Sequence, residues 1–324
     1  MDSILIYVLF FVGFFLLIKG ADFLVEAASD LAKKFGVSDL IIGLTIVSIG
    51  TSLPELIVNI LASSQDNVDI AIGNVYGSNI CNILLILGFS AVLKALPLQR
   101  NTVIAEIPFS IAAIMIIGFL GNAEIWGAED TLEGLSRYDG ILILFFFFLF
   151  FAYIIEMALG ERSNLDKEEK PVKINVLKEV GFIILGIVML FFGGKWVVDG
   201  AVHFATLLGM SEAFIGLTIV AIGTSLPELV TSIVAARKGN VDVAVGNVIG
   251  SNIFNLLWIL GLSSVISPLP MNKVNNFDAF VVLMASALVV VLMIVSKKME
   301  VKRWHGWVYL TAYATYVIYL LNRG

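Results

Sequence analysis

Two six-residue stretches hold the groups best suited to chemistry: Gly50-Thr51-Ser52-Leu53-Pro54-Glu55 and Gly223-Thr224-Ser225-Leu226-Pro227-Glu228. Each lies in the middle of an apolar run long enough to cross a bilayer. A carboxylate at that depth costs at least about 2.5–3.5 kcal/mol on insertion scales, so it marks function by default. The preceding proline has no N–H and clashes with the carbonyl four residues back, that of Gly50 or Gly223. The helix must therefore kink or open, and freed carbonyls are tolerated only where they face a cavity or other protein. At spacings of three and four, Ser48, Thr51, Ser52 and Glu55 share one helix face. The next apolar run adds Ser78 and Asn82, four apart, and its counterpart adds Ser251 and Asn255.

Pooled at one centre, these groups offer two carboxylates, two amides, several hydroxyls and several carbonyls. Calcium takes six to eight oxygens in flexible geometry, whereas softer metals want sulfur or nitrogen. Two Glu charges balance one Ca2+ and can equally attract several Na+, so the two loads would compete for the same ligands. Competition for one ligand set, exposed alternately to each side, is sufficient physics for antiport. Blander readings exist for each group alone: a lone buried Glu can be a protonated structural residue, and membrane Ser, Thr and Asn often bond backbone or neighbouring helices. Duplication of the whole Thr-Ser-Leu-Pro-Glu pattern favours ion binding. Asn74 and Asn247, in a repeated Gly-Asn-Val, read as packing or capping residues. Asp22, Glu26, Asp199, His203 and His305 read as interfacial, Lys19 and Lys195 as snorkelling, and Cys81 as a small core residue.

Such a centre needs membrane helices to position it, and the composition supplies them. Of 324 residues, 59% are hydrophobic and 14% charged, too few polar groups to cover a water-facing surface. Turn and charge punctuation divides the chain into ten candidate spans: roughly 4–33, 39–63, 68–94, 103–121, 138–159, 175–208, 212–237, 241–266, 277–296 and 305–322. The N-terminal run reads as a span rather than a signal peptide, for it lacks a basic leader and a cleavage site. No basic run suggests nucleic acid. One cysteine and two histidines exclude a disulfide and a thiol- or imidazole-built metal site. No nucleophile–base pair, phosphate loop or cofactor motif points to an enzyme, and no cofactor is expected.

The halves are copies. Residues 43–97 and 216–270 match at 35 of 55 positions with a constant offset of 173 and no gap. The expected organisation is a first five-helix half over 1–159 with its repeat at 39–97, a charged loop over 160–174, and a second half over 175–324 with its repeat at 212–270. Five spans per half is odd, so the second copy enters the membrane from the opposite side, an inverted repeat with its site where the copies meet. The expected fold is thus an all-α membrane protein of ten transmembrane helices in two inverted five-helix repeats. With both termini outside, fifteen Lys and Arg fall in cytoplasmic loops and three outside (Arg137, Lys273 and Arg323). That asymmetry fits the positive-inside rule and a multi-pass cell-membrane protein.

At these motifs the sequence resembles the sodium/calcium exchanger family of the calcium/cation antiporter superfamily, especially its prokaryotic members, over essentially the whole chain. The resemblance implies Na+/Ca2+ exchange by alternating access, with Ca2+ and Na+ as substrates, the bilayer as surroundings and the monomer as working unit. It implies that Glu55 and Glu228 are the central shared ligands, with the Thr51 and Thr224 carbonyls completing a calcium site. Ser52 and Ser78 would serve one sodium site and Ser225 and Ser251 another, with carbonyls of Ser48 and Ala221 contributing. Asn82 and Asn255 would line the centre, and the first and sixth spans would slide past the core. Asparagine at both of those positions, where some relatives carry aspartate, weighs against K+ coupling; GTxxE rather than GNxxE weighs against H+. The rivals are an H+- or K+-coupled calcium antiporter of the same fold and, in another class, a passive cation channel or a calcium sensor.

Overall fold

Long apolar helices with polar residues confined to one stripe bury that stripe against each other and leave Leu, Ile and Phe to lipid. The computed structural model follows this rule and describes residues 3–65, 67–123, 133–163, 174–209 and 221–323. The helices are α1 (Ser3–Phe35), α2 (Asp39–Thr51), α3 (Leu53–Ser64), α4 (Val68–Leu93), α5 (Thr102–Leu120), α6 (Arg137–Ser163), α7 (Val176–Leu207), α8 (Ala221–Thr224), α9 (Leu226–Lys238), α10 (Val241–Ile266), α11 (Lys273–Ser296) and α12 (Arg303–Arg323). Among the described residues, seven of them (α1, α4, α5, α6, α7, α10 and α11) are long and apolar enough to cross a membrane, and α2 and α3 meet the same test taken together as a bent pair. The protein is therefore an all-helical, multi-pass membrane protein. The 21-residue α12 is not in that set, being rich in Tyr, Trp and Thr. The expected span 212–237 and loop 160–174 fall partly outside the described residues, at 212–220 and 164–173.

Two close crossings place the site. Helices α1 and α7 run antiparallel and meet at glycines: a Cβ on Gly13 would stand 2.9 Å from the Gly193 carbonyl oxygen, and one on Gly186 2.7 Å from that of Gly20. Gly13 and Gly20, shifted by 173, are Gly186 and Gly193, so each glycine faces the other's counterpart. Such small-residue contacts let membrane helices approach backbone to backbone. Helix α10 lies equally close on α2, where a Cβ on Gly246 would sit 2.9 Å from Gly43 Cα and one on Gly250 2.7 Å from Ser48 Oγ.

Wider π-helical turns interrupt these helices at Gly43–Val47, Cys81–Leu87, Thr102–Glu106 and Phe254–Ile259. The second and fourth are counterparts, and each carries its asparagine, Asn82 or Asn255, as the second residue. Such turns re-aim a side chain by about one position and occur often at functional sites. Two antiparallel pairs of two-residue strands, Leu96–Pro97 with Glu300–Val301 and Gly134–Leu135 with Leu269–Pro270, tie loop ends together. The Phe145–Phe151 run divides by face: Phe145 and Phe148 are exposed, while Phe147 and Phe150 are buried. His305, expected at the interface, is fully buried in the protein at the start of α12, where its Nδ1 accepts the Lys302 N–H at 3.2 Å.

Candidate functional site

The helix break falls two residues before the proline. The helix breaks at Ser52 (φ −84°, ψ 9°), and α2 and α3 differ in direction by 48°. Ser225 breaks its segment with nearly the same angles, φ −87° and ψ 9°. Pro54 and Pro227 thereby sit in the first turn of a new helix, where a missing N–H leaves no bond unmade. Glu55 and Glu228 follow in that same turn, near the positive end of the helix dipole. The carbonyls that close α2 and α8 lie just before the break. Carbonyl ends and carboxylates are thus brought to the same level from both halves.

The two carboxylates are fully buried and their hydrogen bonds are crossed. Ser52 Oγ donates to Glu228 Oε1 at 2.7 Å, and Ser225 Oγ donates to Glu55 Oε1 at 3.2 Å. Ser52 Oγ also lies 3.0 Å from Ser251 Oγ. Thr51 Oγ1 donates to Asn247 Oδ1 at 3.0 Å, and Thr224 Oγ1 to Asn74 Oδ1 at 3.5 Å. Each of those asparagines donates onward to the backbone carbonyl of the Glu in its own half: Asn74 to Glu55 at 3.4 Å, Asn247 to Glu228 at 3.3 Å. The bonds to the carboxylates, the Thr–Asn bonds and these onward bonds all come in pairs related by the 173-residue shift.

The remaining Glu55 and Glu228 oxygens, both Oε2, are buried and have no hydrogen-bond partner among the described residues, as do Ser78 Oγ, Asn82 Oδ1 and both polar atoms of the Asn255 side chain. A buried polar atom without a partner costs about 1–3 kcal/mol, more when charged. Six such atoms on residues of the two repeats make a set of oxygens and one amide with bonding capacity to spare. Among the described residues no three His, Cys, Asp or Glu groups gather as a metal cluster. Any cation held here must draw on the two carboxylates and neutral oxygens, and that donor set fits a hard cation.

The expected site residues fall as follows. Glu55, Glu228, Ser52, Ser225, Thr51, Thr224 and Ser251 are joined through the crossed bonds. Asn82 reaches the other half by donating to Asn252 Oδ1 at 3.0 Å. Ser48 turns its hydroxyl back to the Leu44 carbonyl at 2.9 Å, while its own carbonyl accepts from Ser251 Oγ at 3.5 Å. Ser48 thus offers the other half its carbonyl as an acceptor, while its hydroxyl, bonded within its own helix, packs beside Gly250. Ala221 opens α8; its side chain lies outside the described residues. Asn74 and Asn247 do more than pack, because each ties a Thr hydroxyl of one half to the Glu turn of the other. Their duplication was the available signal. Asn59 gave no such signal, although it is fully buried and takes a hydrogen bond from Asn74 at 2.5 Å, because its counterpart is Ser232 and the repeat hides the pair.

Known proteins resemble this chain along nearly its whole length. The family model described as sodium/calcium exchanger protein matches residues 5–156 and 178–322. The sodium/calcium exchanger MaX1 of Methanosarcina acetivorans is 36% identical over 343 residues, covering 97% of this chain and 98% of its own. The putative antiporter CaxA of Alkalimonas amylolytica is 38% identical over 320 residues, covering 96% and 97%. The inner membrane protein YrbG of Escherichia coli is 40% identical over 267 residues, 80% of this chain and 79% of its own. Among solved structures, the sodium-calcium exchanger NCX_Mj soaked with 10 mM Na+ and zero Ca2+ superposes with a TM-score of 0.83 at 32% identity, covering 98% of this chain and 99% of that one.

Proposed function

The chain belongs to the sodium/calcium exchanger family and is a Na+/Ca2+ antiporter, and we propose that the crossed carboxylates Glu55 and Glu228 are where its two ions compete. One observation carries this reading: each Glu is held from the opposite half by a serine through one oxygen, and its other oxygen is buried without a partner among the described residues. Ca2+ or Na+ would take up those oxygens. The Thr51 and Thr224 carbonyls would join them in the calcium site. Ser52 with Ser78 and the Ser48 carbonyl, and Ser225 with Ser251 and the Ala221 carbonyl, would hold Na+ to either side. Asn82 and Asn255 would line the space between. Ca2+ and Na+ act here as cargo, with no resident cofactor, and one chain suffices because it contains both halves of the site.

We read the architecture as ten spans in two inverted five-helix halves, 1–159 and 175–324, joined by the 160–174 loop. The constant offset of 173 and the exchanged glycine and hydrogen-bond partners support that count. Both termini would lie outside, leaving the Lys- and Arg-rich loops in the cytoplasm. Exchange of three Na+ for one Ca2+ would move one net charge, so the membrane potential would contribute about 2.3 kcal/mol per 100 mV.

The test is Ca2+ uptake into proteoliposomes under an outward Na+ gradient, repeated with K+ or H+ gradients in place of Na+. Uptake that saturates and needs Na+ on the opposite side is expected. Uptake indifferent to Na+ but driven by K+ or H+ would overturn the coupling. Uptake needing no counter-ion would point to a channel.

A further inference from the structure

Lys238, the last residue of α9, reaches across to α1. Its Nζ lies 2.8 Å from Asp22 Oδ1 and 2.7 Å from Glu26 Oε1, two acids one helical turn apart. Two residues on, Asn240 Nδ2 donates to Ser29 Oγ at 2.9 Å, extending the contact by another turn of α1. Lys19 also joins this group, 3.6 Å from Asp22.

The repeat does not reproduce this arrangement. Shifted by 173, Lys238 and Asn240 correspond to Gln65 and Asn67, while Asp22, Glu26 and Ser29 correspond to Lys195, Asp199 and Val202. A neutral amide cannot replace the ammonium between two acids, and Asn67 donates to Gln65 instead, at 3.5 Å. On that side a cavity of about 330 Å3 opens between α7 and the broken helices, lined by Pro54, Val58, Lys195, Asp199, Thr224 and Pro227. Its walls run from the charged pair on α7 to the helix breaks that carry the carboxylates. Leu9 of α1 lies beside Lys195 and Asp199. Leu9 and Glu26 are 17 residues apart on one helix, about 25 Å. Clamp and cavity thus stand toward opposite ends of α1.

We propose that Lys238 is a positioning residue for exchange: its grip on Asp22 and Glu26 holds α1 to the core and keeps that face closed while the opposite face admits ions. The proposal rests on the alternating-access reading above. Any slide of α1 along the core in the closed-to-open direction must pull the ammonium away from both carboxylates. Because the three side chains are 30%, 26% and 66% exposed, solvent and salt screen them, and the clamp biases the two states without locking either. Among the described residues the other face has no such clamp, which makes the bias one-sided.

The test uses the full-length chain in nanodiscs, with Val58→Cys placed in the cavity wall and a charged thiol reagent as the probe. Native Cys81 is buried and serves as the internal control. Lys238→Gln is expected to slow labelling of the introduced cysteine about two- to tenfold, because the cavity-open state loses population. Lys238→Arg restores the rate, and 1 M salt slows the parent but not Lys238→Gln. The double variant Asp22→Asn/Glu26→Gln reproduces the slowing. General loosening has the opposite sign, since a partly unfolded chain labels faster and exposes Cys81. Unchanged or faster labelling of Val58→Cys in Lys238→Gln, with Cys81 still protected, overturns the proposal, as does failure of the double variant to slow it. Labelling needs no ion exchange, so a chain that exchanges no Na+ yet follows this pattern would remove the antiport reading separately.

Discussion

At the carboxylates the two halves are nearly interchangeable; one layer out they differ. The bonds donated by the first half, Ser52 to Glu228 and Thr51 to Asn247, measure 2.7 and 3.0 Å, whereas their counterparts from Ser225 and Thr224 measure 3.2 and 3.5 Å. Behind the first pair, Gly246 and Gly250 let α10 press onto α2. Asn82 has a partner in Asn252, and Asn255 has none among the described residues. Duplication thus preserved the ligands and let their supports diverge, so chemically equal carboxylates are held with unequal firmness.

The largest effect should come from the shared centre, where the halves must fail alike. Glu55→Gln and Glu228→Gln each keep the side chain's volume but remove half the site's charge, and each should lower Na+-dependent Ca2+ uptake at least about a hundredfold without loss of folded protein. A variant retaining a tenth of parental uptake would break the symmetry of the two acids.

Serine substitutions should separate the halves. Ser52→Ala removes a short bond to a carboxylate, of a kind worth about 1.5–3 kcal/mol, and should raise half-saturating Ca2+ by about ten- to a hundredfold. Ser225→Ala removes a longer bond and should cost less. Equal or reversed effects, measured as initial uptake against Ca2+ concentration, would mean that the difference in length has no energetic meaning.

A stability measurement addresses the packing of α10 on α2. Gly250→Val forces branched carbons against Leu44 and Ser48 and should destabilise the protein by about 1–3 kcal/mol. Thermal unfolding in detergent measures the loss, and an unchanged midpoint would refute the close approach of α10 to α2. The smallest effect is expected at the neutral bonds: Thr51→Val should cost about 0.5–1.5 kcal/mol and Thr224→Val less, seen as a few-fold difference in half-saturating Ca2+.

The elements that could be read from sequence were those fixed by local rules or by repetition. Proline before an intramembrane acid announced the break, and the structure differs only in placing it at Ser52, because a new helix can begin once proline occupies its first turn. The exact 173-residue offset announced which residues would act as counterparts. Crossing was not legible: nothing local to Ser52 says that its hydroxyl answers Glu228 rather than the nearby Glu55. That choice depends on the α2–α10 and α1–α7 approaches, which rest on glycines whose partners are far along the chain. The π-helical turns were likewise hidden, since 3.6-residue periodicity carries no mark of one extra residue. Lys238 carried no mark either, because its own counterpart is the neutral Gln65, so repetition, the most informative signal elsewhere, was silent there.

Equilibrium Ca2+ binding to the detergent-solubilised chain, titrated with Na+ and repeated on Glu55→Gln and Glu228→Gln, addresses the shared-ligand claim without requiring transport. The predicted result is Ca2+ binding that Na+ displaces in the parent and that either substitution abolishes. Binding that persists in both variants, or that Na+ leaves untouched, would contradict it.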